Sequence, residues 1–295
     1  CMMSKLEEML LYVSEHNDFY KNRIKEHGIK DPLDITQWPI LTRKELQENR
    51  YNMFSDGYKA KYYNQQLRRQ ASSGSSGVPV SVYWDYKDWY ASNMSMWRKR
   101  WQWYGIKPSD KYIMFTLNGF GLESRGQSFY YLGDSENLLI VNTSLLYKEM
   151  GFRRLIKKID DFGPKWLYIQ PHILANIINI CEKYNEIMPK TISYIETVGE
   201  IFTNDLKEKA RTFFNTPVVN MYGSEEMNCI AYENPNRQLQ ILDDNVYVEC
   251  IGGQHENYKE AIITNLNNKS MPLIRYNQGD LIDLYMDNTE GNNLI

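Results

Sequence analysis

The sequence predicts an α/β protein: mainly parallel sheets flanked by helices, with a smaller antiparallel β subdomain toward the C-terminus. Three observations carry this. Between residues 86 and 221, apolar runs of strand length alternate with amphipathic runs of helix length, the order that builds parallel sheets. After Tyr232 the helical periodicity stops, and short strand-like runs are joined by Gly, Asn and Asp turns. Apolar residues make up 42% of 295, enough for a large buried core.

The elements follow in order. Leu6, Met9, Leu10, Val13, Phe19, Tyr20 and Ile24 lie near helical spacing and predict a helical run over 4–27. Ser4 is placed to cap it, Glu7 takes the capping-box position, and Gly28 ends it. A second helix is expected from Thr42, with Glu45 three residues on. A strand is expected over 78–84, a helix over 86–104 stopped by Gly105, and a buried strand over 111–117. Helices over 149–162, 172–184 and 204–214 then alternate with strands over 166–169, 191–198 and 218–221. Further strands are expected at 246–250, 261–264 and 281–285. The expected organisation is one large domain over 1–295: a helical segment 1–60, an α/β core 61–230 and a β-rich part 231–295.

Bulk chemistry removes several function classes. Net charge is −3, from 34 basic and 37 acidic side chains, which makes no electrostatic case for nucleic acid or an anionic membrane. The basic clusters Arg98-Lys99-Arg100 and Arg153-Arg154 with Lys157-Lys158 read as solvated helix faces. No apolar run reaches bilayer length and the N-terminus has no signal-peptide core, so a cytoplasmic protein is expected. The four cysteines are scattered, without a C-x-x-C pair, and the four histidines are unpaired at helical spacing, which speaks against zinc. The P-loop pattern, H-E-x-x-H and G-x-S-x-G are all absent.

Three segments point to a nucleotide site. Ser72, Ser73, Gly74, Ser75, Ser76 and Gly77 form an unbroken Ser/Gly run. Glycine admits close backbone approach and serine adds hydroxyls, so such a run can wrap a polyphosphate; it can equally be a flexible linker. Tyr222, Gly223, Ser224, Glu225 and Glu226 follow directly on a strand, where α/β sheets bind ligands. Tyr222 can stack on a base and a glutamate can hold Mg²⁺; the bland reading is a polar turn. Arg275, Tyr276, Asn277, Gln278, Gly279 and Asp280 end on a carboxylate that can accept ribose hydroxyls; alone, they read more simply as a hairpin turn.

These three segments resemble, in order and approximate spacing, the phosphate loop, the Tyr-Gly-x-Thr-Glu motif and the Tyr-[Arg/Lys]-Thr-Gly-Asp motif of the adenylate-forming superfamily. Gly199-Glu200 falls where that family places an adenine contact. The segments Asp18–Arg23, Trp38–Leu46 and Ser270–Tyr276 are similar to the phenylacetate–coenzyme A ligase group, which includes proteins of capsular polysaccharide biosynthesis. The similarity covers nearly the whole chain.

The resemblance implies the fold of that superfamily's large domain and ATP-dependent activation of a carboxylic acid as an acyl-adenylate. Transfer to CoA or another acceptor follows. It implies phosphate binding by Ser72 to Gly77, Mg²⁺ at a catalytic Glu226, and ribose and adenine binding by Asp280, Gly199, Glu200, Tyr222 and Gly223. It also implies an acyl pocket shaped by Phe120, Gly121, Tyr130 and Tyr131. A homodimer is compatible with the sequence.

Departures are Glu225 at the Thr/Ser position, and Asn277 and Gln278 in the third motif. They keep open a second reading, a catalytically weak binding module in surface-polysaccharide biosynthesis. The chain stops at Ile295, before the hinge and mobile domain of relatives, so slow adenylation and weak ATP binding are expected of it alone.

Overall fold

The computed structural model describes residues 3–72, 79–116, 128–131, 136–255, 258–286 and 293–295. The chain forms two compact units, one of residues 1–98, 223–232 and 238–295, the other of 99–222 and 233–237. The α/β class is as expected.

The first unit begins with α1 (Lys5–His16) and α2 (Asp18–Glu26). The expected single run is two helices, because Asn17 is extended, with φ −134°, and its side chain caps α2 by accepting from the Tyr20 N–H. Ser4 and Glu7 form the expected capping box on α1. Thr42 and Glu45 form another on α3 (Arg43–Asn49). Then come α4 (Tyr58–Tyr63), the hairpin strands β1 (Arg68–Ala71) and β2 (Ser81–Trp84), and α5 (Tyr86–Tyr104). α5 runs on into the second unit.

The second unit holds β3 (Tyr112–Thr116), β4 (Phe129–Tyr131), β5 (Leu138–Asn142), α6 (Glu149–Phe162), β6 (Trp166–Ile169), α7 (Pro171–Tyr184), β7 (Tyr194–Val198), α8 (Asn204–Phe214) and β8 (Val218–Ser224). β5, β3, β6, β7 and β8 are parallel neighbours in that order, and β4 is an antiparallel edge on β5. The apolar faces of α6 and α7, through Phe152, Leu155, Ile159, Ile173, Leu174 and Ile177, join the sheet in one buried cluster. Arg100 corrects the reading of its basic cluster as a solvated face. It is 3% exposed, and its guanidinium is paired with Glu196 of β7, itself fully buried. A carboxylate inside a parallel sheet requires such a partner.

The chain then returns to the first unit through β9 (Asn228–Glu233), β10 (Leu239–Ile241), β11 (Val246–His255), β12 (Tyr258–Asn265), β13 (Tyr276–Ile282), β14 (Tyr285–Met286) and β15 (Asn293–Leu294). β11, β12 and β13 form the expected antiparallel sheet, but its third strand runs over Tyr276–Ile282 rather than the expected 281–285, because it pairs with β12 from Tyr276 onward. The third motif lies along β13 rather than in a turn. Asn277 pairs with Ile262 and Leu281 with Glu260, so Gln278, Gly279 and Asp280 bulge out of the ladder.

Candidate functional site

The polar stretch before the Ser/Gly run is strand β1, paired antiparallel with β2 from Arg68↔Trp84 to Ala71↔Ser81. Just past it, the Ser72 N–H donates to the Val80 carbonyl at 2.9 Å, and the Val80 N–H donates to Ser72 Oγ at 3.0 Å. Two strands therefore enter and leave the run in fixed register. Ser73, Gly74, Ser75, Ser76 and Gly77 lie outside the described residues.

Glu225 and Glu226 occupy the short turn from β8 to β9. Gly223 is required before it, because a Cβ there would collide with the Asn228 carbonyl oxygen. Glu226 is 3% exposed. Its Oε1 accepts from the Tyr276 hydroxyl at 3.4 Å and lies 3.9 Å from Arg43 Nη1. Burial raises the Glu226 carboxyl above its ordinary range, against the opposing pull of its own backbone N–H, Arg43, Tyr276 and Ser224. Burial also raises the Tyr276 hydroxyl, helped by the Glu226 charge, so it stays a donor. Arg43 Nη2 meanwhile donates to Ser72 Oγ at 2.9 Å. Ser72, Glu226 and Tyr276, one from each motif segment, are thus linked in one chain of contacts, with Arg43 between the first two and Glu226 between Arg43 and Tyr276.

Arg43 is the functional candidate that sequence reasoning missed. It sits at the first turn of α3, placed there by a short tether. The Leu41 N–H donates to the Arg275 carbonyl and the Asn277 N–H to the Leu41 carbonyl, both at 2.9 Å, which lays residue 41 parallel to β13. Arg23 holds the same segment through Glu45 at 2.7 Å and the Ile40 carbonyl at 3.1 Å. The buried Tyr20 hydroxyl donates to the Pro272 carbonyl at 2.9 Å and accepts from the Ile274 N–H at 3.0 Å. The segments Asp18–Arg23, Trp38–Leu46 and Ser270–Tyr276, which carry part of the family resemblance, are thus hydrogen-bonded to one another around the start of α3 that bears Arg43.

Glu225 is exposed, and Gln70 Nε2 donates to its Oε2 at 3.1 Å. Gln70 also donates to Asn228 Oδ1 at 3.2 Å. Asp280, exposed on the bulge, accepts from Gln278 Nε2 at 2.7 Å.

In the second unit, Val198 pairs with Met221, so Gly199, just past the end of β7, and Tyr222, still within β8, follow the last paired residues of these neighbouring parallel strands. Gly199 has φ +84°, a backbone that side chains resist. Glu200 is taken up at the start of α7: its Oε2 accepts the His172 N–H at 3.2 Å, and its Oε1 lies 2.6 Å from His172 Nδ1. Gln170, which precedes α7, has a buried Oε1 without a partner among the described residues. Phe120 and Gly121 lie outside the described residues, as does the Tyr130 side chain. Tyr131 is 46% exposed on the edge strand, with its ring against Phe162. Among the described residues no group of three His, Cys, Asp or Glu side chains forms a metal site, and no helix is long and apolar enough to cross a membrane.

No family model matches the chain. It is 26% identical to protein CapK of Staphylococcus aureus over 95% of its own length. It is 23% identical to the phenylacetate–coenzyme A ligase of Pseudomonas putida over 96%. The chain is thus similar in sequence to CapK and to a phenylacetate–CoA ligase over nearly its whole length.

The chain spans 62% and 65% of the length of those two curated relatives. Its fold matches a 2-hydroxyisobutyryl-CoA ligase solved with its acyl-AMP and CoA, at TM-score 0.74 and 17% identity. That match covers 99% of this chain and 66% of the ligase. The fold is therefore that of the adenylate-forming ligases.

Proposed function

We propose that this chain is the ATP-binding body of an adenylate-forming acid–thiol ligase. One observation carries the reading: Arg43 bridges Ser72 and Glu226, and Glu226 in turn accepts from Tyr276. A guanidinium held between a serine hydroxyl and a buried carboxylate is a fixed cation beside the Ser/Gly run, suited to phosphate oxygens.

In this reading the residues 72–77 hold the β- and γ-phosphates of ATP. Asp280 on its bulge takes the ribose. The Glu200 carboxylate is already held by His172, so the adenine is left the backbone at Gly199 and Glu200, Gly223 and the ring of Tyr222. Glu226 would hold Mg²⁺, since a carboxylate oxygen is the donor such a hard cation takes. When bound, Mg²⁺ offsets charge on the departing pyrophosphate.

The acid's carboxylate oxygen attacks the α-phosphorus, the bond to the pyrophosphate oxygen breaks, and an acyl-adenylate forms. A thiol, CoA in the first instance, then loses its proton and attacks the acyl carbon as AMP leaves. The chain's contribution is positioning and charge placement. Phe120, Gly121, Tyr130 and Tyr131 shape the acyl pocket in this reading, and Gln170 Oε1, buried without a partner among the described residues, is read as an acceptor for a donor on the acid. The layout as one large domain, 1–60, 61–230 and 231–295, belongs to the same reading, as does a cytoplasmic location.

Isothermal titration of ATP·Mg and of a non-hydrolysable acyl-adenylate analogue, with ATP–pyrophosphate exchange over a panel of carboxylic acids, tests it. Binding of the analogue with acid-dependent exchange is expected. Binding of neither ligand overturns the site.

A further inference from the structure

Within the first unit, Tyr51, Tyr62, Tyr63 and Tyr83 wall an open groove of about 580 Å³, together with Gln65 and Arg69. The Tyr62 ring stands edge-to-face to three others, with centroids at 5.6 Å to Tyr51, 5.4 Å to Tyr63 and 4.9 Å to Tyr83. Buried Phe54 packs against Tyr62 and Tyr83 and holds them in place. Tyr51 is 49% exposed and Tyr63 74%, so the slots between the rings open to solvent. Arg69 lies opposite Tyr83 in the β1–β2 ladder, while Gln70 beside it turns to Glu225. The groove therefore sits on the hairpin face away from Glu225.

The polar groups in the groove are free to donate. The Tyr51 hydroxyl accepts from Tyr62 at 3.4 Å and from Arg50 Nη2 at 2.9 Å, which leaves its own proton to point outward. Arg69 gives Nε and Nη2 to Ser81 Oγ and keeps Nη1 without a partner among the described residues. Gln65 takes φ +57° just past α4, its N–H on the Tyr62 carbonyl and the Gln66 N–H on the Lys61 carbonyl. Glycine is the usual residue at such a cap, so the glutamine there is strained. Its amide lines the groove without a hydrogen bond among the described residues. No carboxylate lines the groove among the described residues.

These features select a ligand class. A small-molecule pocket encloses most of its ligand, and this groove is open. Saccharide hydroxyls need acceptors, and the groove offers mainly donors. A polyproline II segment fits both facts. Proline has no N–H and the segment makes no internal hydrogen bonds, so it presents carbonyl acceptors between apolar rings, in a conformation already set. We propose that the groove docks a proline-rich segment of a partner protein, with prolyl rings between the tyrosines, carbonyls on Tyr51 and Gln65, and an acidic side chain on Arg69.

The test is fluorescence anisotropy on the whole chain with a labelled peptide of about nine prolines carrying an aspartate at each end. Saturable binding is expected, and a Gly/Ser peptide with the same ends binds about tenfold or more weakly. Tyr63→Ala, whose ring is largely exposed, keeps the wild-type Tm and weakens binding by about tenfold or more. Gln65→Gly also keeps Tm and weakens binding, an outcome that a purely structural role for Gln65 does not give. Arg69→Met removes the preference for aspartate ends over glycine ends and retains the preference for proline. Four results overturn the inference: no peptide binding by the wild-type chain; equal binding of the proline and Gly/Ser peptides; binding unchanged in Tyr63→Ala; or a groove that takes glucuronate, lost in Tyr63→Ala, in place of the peptide.

Discussion

Glu226 shows how a functional residue is kept against its own folding cost. Burial raises its carboxyl above the ordinary value. A carboxyl whose folded pKa exceeds its unfolded one binds its proton more tightly when folded, so stability falls as pH rises through that window. The cost is fully present above the folded pKa and gone below the unfolded one. Glu226→Gln is therefore expected to raise Tm at pH 7, with the gain fading as the buffer is acidified below the ordinary carboxylate range. The same variant is expected to lower ATP–pyrophosphate exchange by about a hundredfold or more, because it cannot hold Mg²⁺. A drop in Tm at pH 7 would contradict the burial argument, and full exchange would contradict the role. Arg43→Ala removes a charge-assisted contact of about 1.5–3 kcal/mol. It should cost roughly ten- to a hundredfold in kcat/KM for ATP, read by initial rates. Arg43 was within a segment noted in the sequence, but nothing in its local pattern separates it from Lys44 beside it. Its role comes from what lies across from it.

The elements explain how those side chains reach one another. Capping boxes at Ser4 and Thr42 were legible because they depend on residues three apart. The β13 bulge was not, since its backbone is set by pairing with β12. The tether of residue 41 to β13 is another long-range fact, and Tyr20 supports it. Tyr20→Phe leaves the Pro272 carbonyl and the Ile274 N–H buried without that hydroxyl. A loss of about 1–3 kcal/mol in denaturant unfolding is expected. A change well under that range would mean water replaces the hydroxyl. On the parallel sheet, Arg100→Met strands Glu196 as an uncompensated buried charge. About 3–5 kcal/mol of destabilisation is expected, with most of it recovered on adding Glu196→Gln. Additive losses in the double variant would show that the pair is not coupled.

At the scale of the whole molecule, the ATP reading makes stability depend on ligand. ATP·Mg at a hundred times its Kd should stabilise the fold by about 2.7 kcal/mol, visible as a rise in Tm and reversed in part by EDTA. No shift at any ATP concentration would count against a nucleotide site in this chain. Alternation of apolar strands and amphipathic helices, the caps and the three motifs were all readable from the sequence, because each depends on neighbours within a few positions. They determined the α/β class, most elements of the parallel sheet and the resemblance to adenylate-forming enzymes. Only the tertiary structure decided which side chains the motifs share. It set Arg43 between Ser72 and Glu226, buried Arg100 against Glu196, occupied Glu200 with His172, and left Tyr86, Tyr90 and Trp101 of α5 exposed. The reason is physical: periodicity reports the face a residue lies on, whereas burial, charge pairing and the covering of a face depend on segments far away in the chain.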